Sequence, residues 1–115
     1  MARFMVLYNS DVQAKDMMTS STPEQRQASM AEWIKWREDA SEQVKVEFGM
    51  PLQTLTRVTP DGEEESDIPV GGYSLLDGDK DTIIGLLKVH PHLKRSGSSI
   101  DLLEIVPMPE IPEAK

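Results

Sequence analysis

Two histidines, His90 and His92, stand on either side of Pro91, and they are the only histidines in the chain. An imidazole titrates near neutrality, so a pair flanking a bend can supply a general base. Ile83, Leu86, Leu87 and His90 follow i, i+3, i+4, i+7 spacing, which sets His90 on the buried stripe of a helix at its final turn. The carbonyl end of a helix favours imidazolium and burial favours the neutral ring, so the two pulls predict a pKa near neutrality. The competing reading is a helix-end histidine that bonds free carbonyls and packs against a sheet. Pro91 ends the helix and turns His92 off its axis, either to a pocket mouth or into an exposed loop.

Arg37 falls inside the apolar arc formed by Met30, Trp33, Ile34, Ala40 and Val44, with Trp36 at its edge. An arginine beside tryptophans can anchor a carboxylate or phenolate; it can equally snorkel to water or pair with an acid. Trp33 and Trp36 are candidate substrate contacts, and core packing is the simpler use of both. Glu104 shares a strand face with Ile100, Leu102 and Val106. A carboxylate there could orient a histidine or act as a base, or it could pair with Arg3 on the neighbouring strand. Tyr73 could offer a phenol to a ligand. No metal is expected, because two histidines without cysteine would need carboxylates such as Glu104 to complete a shell. Gly71-Gly72 precedes a strand with no Lys-Ser/Thr after it, so it is no phosphate loop. No serine sits in a nucleophile elbow, and residues 63–67 lack calcium-loop spacing.

The elements that must position these groups follow from periodicity and turn chemistry. Phe4-Met5-Val6-Leu7-Tyr8 predicts a strand over residues 2–8, followed by a polar loop at 9–21 holding Met17 and Met18. Thr22-Pro23-Glu24-Gln25 is a helix start with a capping box, and the helix is predicted to reach Val44 or Val46. Gly49 and Pro51 break the pattern at 47–52. A thin strand is expected near 53–59, then the turn Pro60-Asp61-Gly62 and a solvated acidic hairpin at 63–67. A third strand at 69–76, a second helix near 80–90 and a fourth strand at 99–106 complete the chain. The prolines at 107, 109 and 112 predict an extended tail over about 107–115.

The order β-α-β-β-α-β predicts an α+β, ferredoxin-like single domain spanning residues 1–115, with both helices on one face of an antiparallel sheet. Strands one and four are apolar on both faces, whereas a sheet with one wet face alternates cleanly. The helix-free face should therefore be covered. No sequence is left over to cover it, so a second copy is expected, giving a homodimer of back-to-back sheets.

Composition narrows the partners. A formal charge of −8 over 115 residues argues against nucleic acid or an anionic membrane. Aromatics are sparse, two each of Trp, Tyr and Phe, so the core must be mainly aliphatic with methionine filling gaps. There is no cysteine, hence no disulfide framework or thiolate site. No apolar run reaches membrane-spanning length and no signal-like leader opens the chain, so a cytoplasmic protein is expected.

Several stretches together resemble the YCII-related family. They are Tyr8 at the end of strand one, Met30-Ala31-Glu32-Trp33-Ile34-Lys35-Trp36, Gly49-Met50-Pro51-Leu52, Gly72-Tyr73-Ser74, His90-Pro91-His92-Leu93, and Ile100 to Met108. The resemblance implies a dimeric α+β barrel of ferredoxin-like subunits more than any activity. A few relatives are linked to dehydrochlorination of aromatic catabolites, and the barrel is similar to that of muconolactone isomerases. A sister subgroup carries Asp-Gly-Pro-Phe; this chain reads Ser66-Asp67-Ile68-Pro69-Val70 and departs from it. The expected activity is cofactor-independent proton abstraction, coupled to isomerisation or elimination on a cyclic or aromatic acid. His90 or His92 would be the base, with Arg37 or Tyr73 stabilising negative charge. The alternatives are a non-catalytic ligand-binding or regulatory homodimer, and an accessory protein that only assembles.

Overall fold

The computed structural model describes residues 2–108. Most of the expected tail, residues 109–115, lies outside the described residues, as does Met1. The elements run β1 (Arg3–Asn9), α1 (Ala14–Ser20), α2 (Pro23–Ala40), β2 (Lys45–Pro51), β3 (Thr56–Thr59), β4 (Gly62–Glu65), β5 (Val70–Asp77), α3 (Lys80–Lys88), a 3-10 turn (Pro91–Lys94) and β6 (Ser99–Glu104). The protein is thus mixed α+β, with a four-stranded antiparallel sheet in the order β2-β5-β1-β6 and a separate two-stranded β3-β4 ribbon. Among the described residues no helix is long and apolar enough to cross a membrane.

Register explains which side chains meet. Phe4, Val6 and Tyr8 of β1 lie opposite Leu76, Ser74 and Gly72 of β5. They also lie opposite Glu104, Leu102 and Ile100 of β6. Val46 and Phe48 of β2 join the same face, opposite Leu76 and Ser74. Onto this face pack Trp36 and Ala40 of α2 and Ile83 and Leu87 of α3, forming one core with Phe4, Val6, Tyr8, Val44 and Leu76. Val6, Leu76 and Ile83 are wholly buried, each contributing roughly 2–3 kcal/mol by removal from water.

The helix start behaves as its residues dictate. Thr22 Oγ1 accepts from the Gln25 N–H (3.1 Å) and Gln25 Oε1 accepts from the Thr22 N–H (2.8 Å), a closed capping box. The end differs from expectation: α2 stops at Ala40, not near Val44 or Val46. Val44 still reaches the core, but from the turn after the helix, wedged so close to Gly78 that a Cβ there would collide with it. Residues 23–32 of α2 are all exposed, Met30 at 58% despite its place in the apolar arc.

The largest correction concerns the second strand. The break expected at 47–52, with the helix end just before it, is replaced by β2 (Lys45–Pro51) at the sheet edge, where a terminal Pro51 removes no needed hydrogen bond. Gly49 is required there because a side chain would strike the Tyr73 ring lying over it. The strand expected near 53–59 is β3, and it pairs only with β4, the acidic Gly62–Glu65 run. Their turn needs Gly62, whose φ is +138°. The arm stands away from the sheet with Leu55 and Val58 exposed. The radius of gyration, 16.2 Å, exceeds the about 13 Å of a compact domain of this length. Residues 14–20 form α1 where a loop was expected, and α3 ends at Lys88, short of His90.

Among the described residues no helix packs on the other face of the sheet. Its rows read Lys45-Asp77-Arg3, then Glu47-Leu75-Met5-Leu103, then Tyr73-Leu7-Asp101, then Asn9-Ser99. The two middle rows hold five apolar or aromatic side chains, and Leu103 is 44% exposed.

Candidate functional site

Because α3 stops early, His90 is not a last-turn helix residue. It caps the 3-10 turn, with Nδ1 accepting the His92 backbone N–H at 3.0 Å. A nitrogen that accepts carries no proton, so the neutral ring bears its hydrogen on Nε2. That Nε2 is buried with no hydrogen-bond partner among the described residues. The ring is 2% exposed and packed among Tyr8, Trp33 and Trp36, at centroid distances of 4.9, 4.5 and 4.3 Å. Burial first, and the neighbouring His92 charge second, lower its pKa to about 3. The expected near-neutral value is therefore corrected. Desolvation among three aromatic rings outweighs any pull that a helix end could exert.

The walls of this aromatic box are themselves tied down. Trp36 is buried and its Nε1–H donates to the Leu86 carbonyl at 2.9 Å. Tyr8 donates its phenol hydrogen to Ser74 Oγ at 2.9 Å, and burial raises its pKa to about 12. Trp33, half-buried, meets Tyr8 edge-on at 4.8 Å and Phe48 at 6.0 Å. Arg37 lies with its guanidinium 4.9 Å from the centre of the Phe48 ring, a cation–π contact that uses it within the fold.

His92 is different. It is half-buried, and its ring Nε2 donates to the Asn9 carbonyl at 2.7 Å. Its Nδ1 makes no hydrogen bond among the described residues. Asn9, also buried, reaches to the other side of the sheet edge, donating from Nδ2 to Asp101 Oδ2 (2.8 Å) and Ser99 Oγ (3.3 Å). Asn9, Asp101, Tyr8 and Ser74 were not among the candidates. Tyr8 was legible from its shared parity with Phe4 and Val6. Asn9 was not, because the register shifts between Tyr8 and Asn9.

The remaining candidates lie elsewhere. Glu104 is exposed opposite Phe4, about 13 Å along the strand from Tyr8 and the histidines. It edges a shallow groove of about 680 Å³ shared with Phe4, Lys80 and Leu102. The alternative pairing with Arg3 does not form, since alternation turns Arg3 to the opposite face. Arg3 engages Glu47 at 2.9 Å and Asp77 at 3.4 Å instead. Tyr73 occupies that same opposite face. His90, His92, Trp33, Trp36 and Arg37 thus gather on the helix side, while Glu104 and Tyr73 stand apart from them. No group of three or more His, Asp or Glu side chains among the described residues is placed to hold a metal ion. No protein-family model matches the chain, and no curated protein matches it.

Proposed function

We propose that this chain is a YCII-related, ferredoxin-like subunit of a homodimer that binds a small molecule, with His90 a structural residue. The sheet order β2-β5-β1-β6 with α2 and α3 on one face supports the ferredoxin-like reading once the β3-β4 arm is set aside as an insertion. The observation that carries the homodimer is the helix-free face, where Met5, Leu7, Tyr73, Leu75 and Leu103 form adjacent apolar rows. Water contact along such a strip is unfavourable in proportion to its area, and a second copy presents a matching strip. Two such faces packed together make an α+β barrel with the Tyr73 phenols facing its interior. The burial of His90 and the separation of Glu104 and Tyr73 from it favour binding over catalysis by that histidine. The test is a thermal-shift and calorimetric screen of cyclic and aromatic small molecules against the dimer. Saturable binding that Tyr73→Ala weakens at least tenfold supports the reading, and binding indifferent to Tyr73 refutes it.

A second reading, proton abstraction leading to isomerisation or elimination on a cyclic or aromatic acid, is favoured by His92. Its Nε2–H is anchored on a backbone carbonyl and its Nδ1 makes no hydrogen bond among the described residues, the geometry a general base needs. On any substrate found in the screen, His92→Gln should abolish turnover while His90→Asn leaves kcat within a few fold. Turnover that survives His92→Gln excludes this chemistry.

A further inference from the structure

The helix-free face carries charge in a pattern that specifies how a second copy must sit. Its charged residues are Arg3, Lys45, Glu47, Asp77 and Asp101. Arg3 engages both Glu47 and Asp77. Lys45 and Asp101 are left, and neither forms an ion pair among the described residues, although both are exposed. Asp101 is not a free-swinging carboxylate: the buried Asn9 amide holds Oδ2 at 2.8 Å. Lys45 lies on β2 and Asp101 on β6, the two edges of the sheet, with the Tyr73-Leu7-Asp101 row four residues along β5 from the Lys45-Asp77-Arg3 row. Three strand spacings and four residue rises are each about 14 Å, so the two charges mark opposite corners of a near-square face.

We propose that in the homodimer Lys45 of each copy pairs with the partner's Asp101, the two faces related by a dyad along the other diagonal. This rests on the homodimer reading above. Such a dyad carries each corner onto the opposite one, so both ion pairs form at once. It also turns the strands of one copy nearly at right angles to those of the other, one of the two common ways that sheets pack. The row through Leu75 and Met5 lies at the centre of the face, where the apolar rows of the two copies cross. A dyad parallel to the strands, or perpendicular to them within the sheet plane, would bring neither charge to its opposite.

The pairing is tested by reversing one charge at a time. Lys45→Glu sets a carboxylate against the partner's Asp101, and Asp101→Lys sets an ammonium against the partner's Lys45. Each variant alone should therefore raise the dimer dissociation constant at least tenfold, about 1.4 kcal/mol. An equimolar mixture of the two should recover wild-type affinity as a heterodimer, because both crossed contacts are then between opposite charges. Native mass spectrometry reads all three states directly. Should Asp101→Lys fail to fold, adding Asp101→Asn to Lys45→Glu removes the repulsion and should recover dimerisation without it. A wild-type dimer whose association ignores the single reversals, or a mixture that stays dissociated, overturns the ion pair while leaving the homodimer standing. A wild-type monomer overturns both.

Discussion

The His90 box ties the fold to pH with a sign and a size. His90 titrates at about 3 in the folded protein against 6.5 in an unfolded chain. Its folded pKa is lowered, so between those values the unfolded chain takes up a proton that the folded one refuses. The stabilisation is full above about pH 6.5 and declines as pH falls toward 3, by about 1.4 kcal/mol per unit. From pH 7 to pH 4.5 this group alone should remove about 2.5 kcal/mol. Replacing His90 by Asn keeps an oxygen to accept the His92 N–H and removes the titrating ring, at the cost of a cavity among Tyr8, Trp33 and Trp36. At pH 7 the variant should therefore be less stable by about 2–4 kcal/mol. At pH 4.5 most of that gap should have closed, because the carboxylates titrate alike in both proteins. Urea unfolding at the two pH values, followed by tryptophan fluorescence, measures the gap directly. A gap of equal size at both pH values would mean that His90 is not held neutral by burial, and the account of the box would be wrong.

Two other outcomes follow from the same packing. Tyr8→Phe leaves Ser74 Oγ buried without its donor and should cost about 1–3 kcal/mol, whereas Tyr8→Phe with Ser74→Ala should cost less than Tyr8→Phe alone; denaturant midpoints decide. The β3-β4 arm pairs only with itself, so replacing residues 56–65 by a short Gly-Ser link should leave the monomer's own unfolding free energy within about 1 kcal/mol of wild type. A loss of several kcal/mol in that variant would show that the arm packs on the domain.

How much of this was legible in the residues depended on whether the signal was local. The Thr22-Gln25 capping box needs only neighbours three residues away, and it forms. The apolar run of β1 likewise needed only counting, whereas His90 is buried from the 3-10 turn beyond α3 and not from the helix stripe on which its spacing set it. Pairing partners were not local. Gly49 and Pro51 read as breakers until the Tyr73 ring and the open sheet edge supply the reason for each. Alternation correctly grouped Glu104 with Ile100 and Leu102, but which face the helices cover is fixed by register with Phe4 and Leu76. The His90 pKa was misread because the burial that lowers it is assembled from rings on separate elements, Tyr8 on β1 and Trp33 and Trp36 on α2, and outweighs any helix-end pull.

The central claim, that the helix-free face meets a second copy, is tested most directly by sedimentation equilibrium of the wild-type chain beside Leu75→Glu, a substitution in the middle of the apolar rows. The wild type should sediment at twice the 12.9 kDa chain mass at micromolar concentration, and Leu75→Glu should sediment as a folded single chain. A wild type that remains at single-chain mass at those concentrations, or a Leu75→Glu protein that still pairs as tightly, would contradict it.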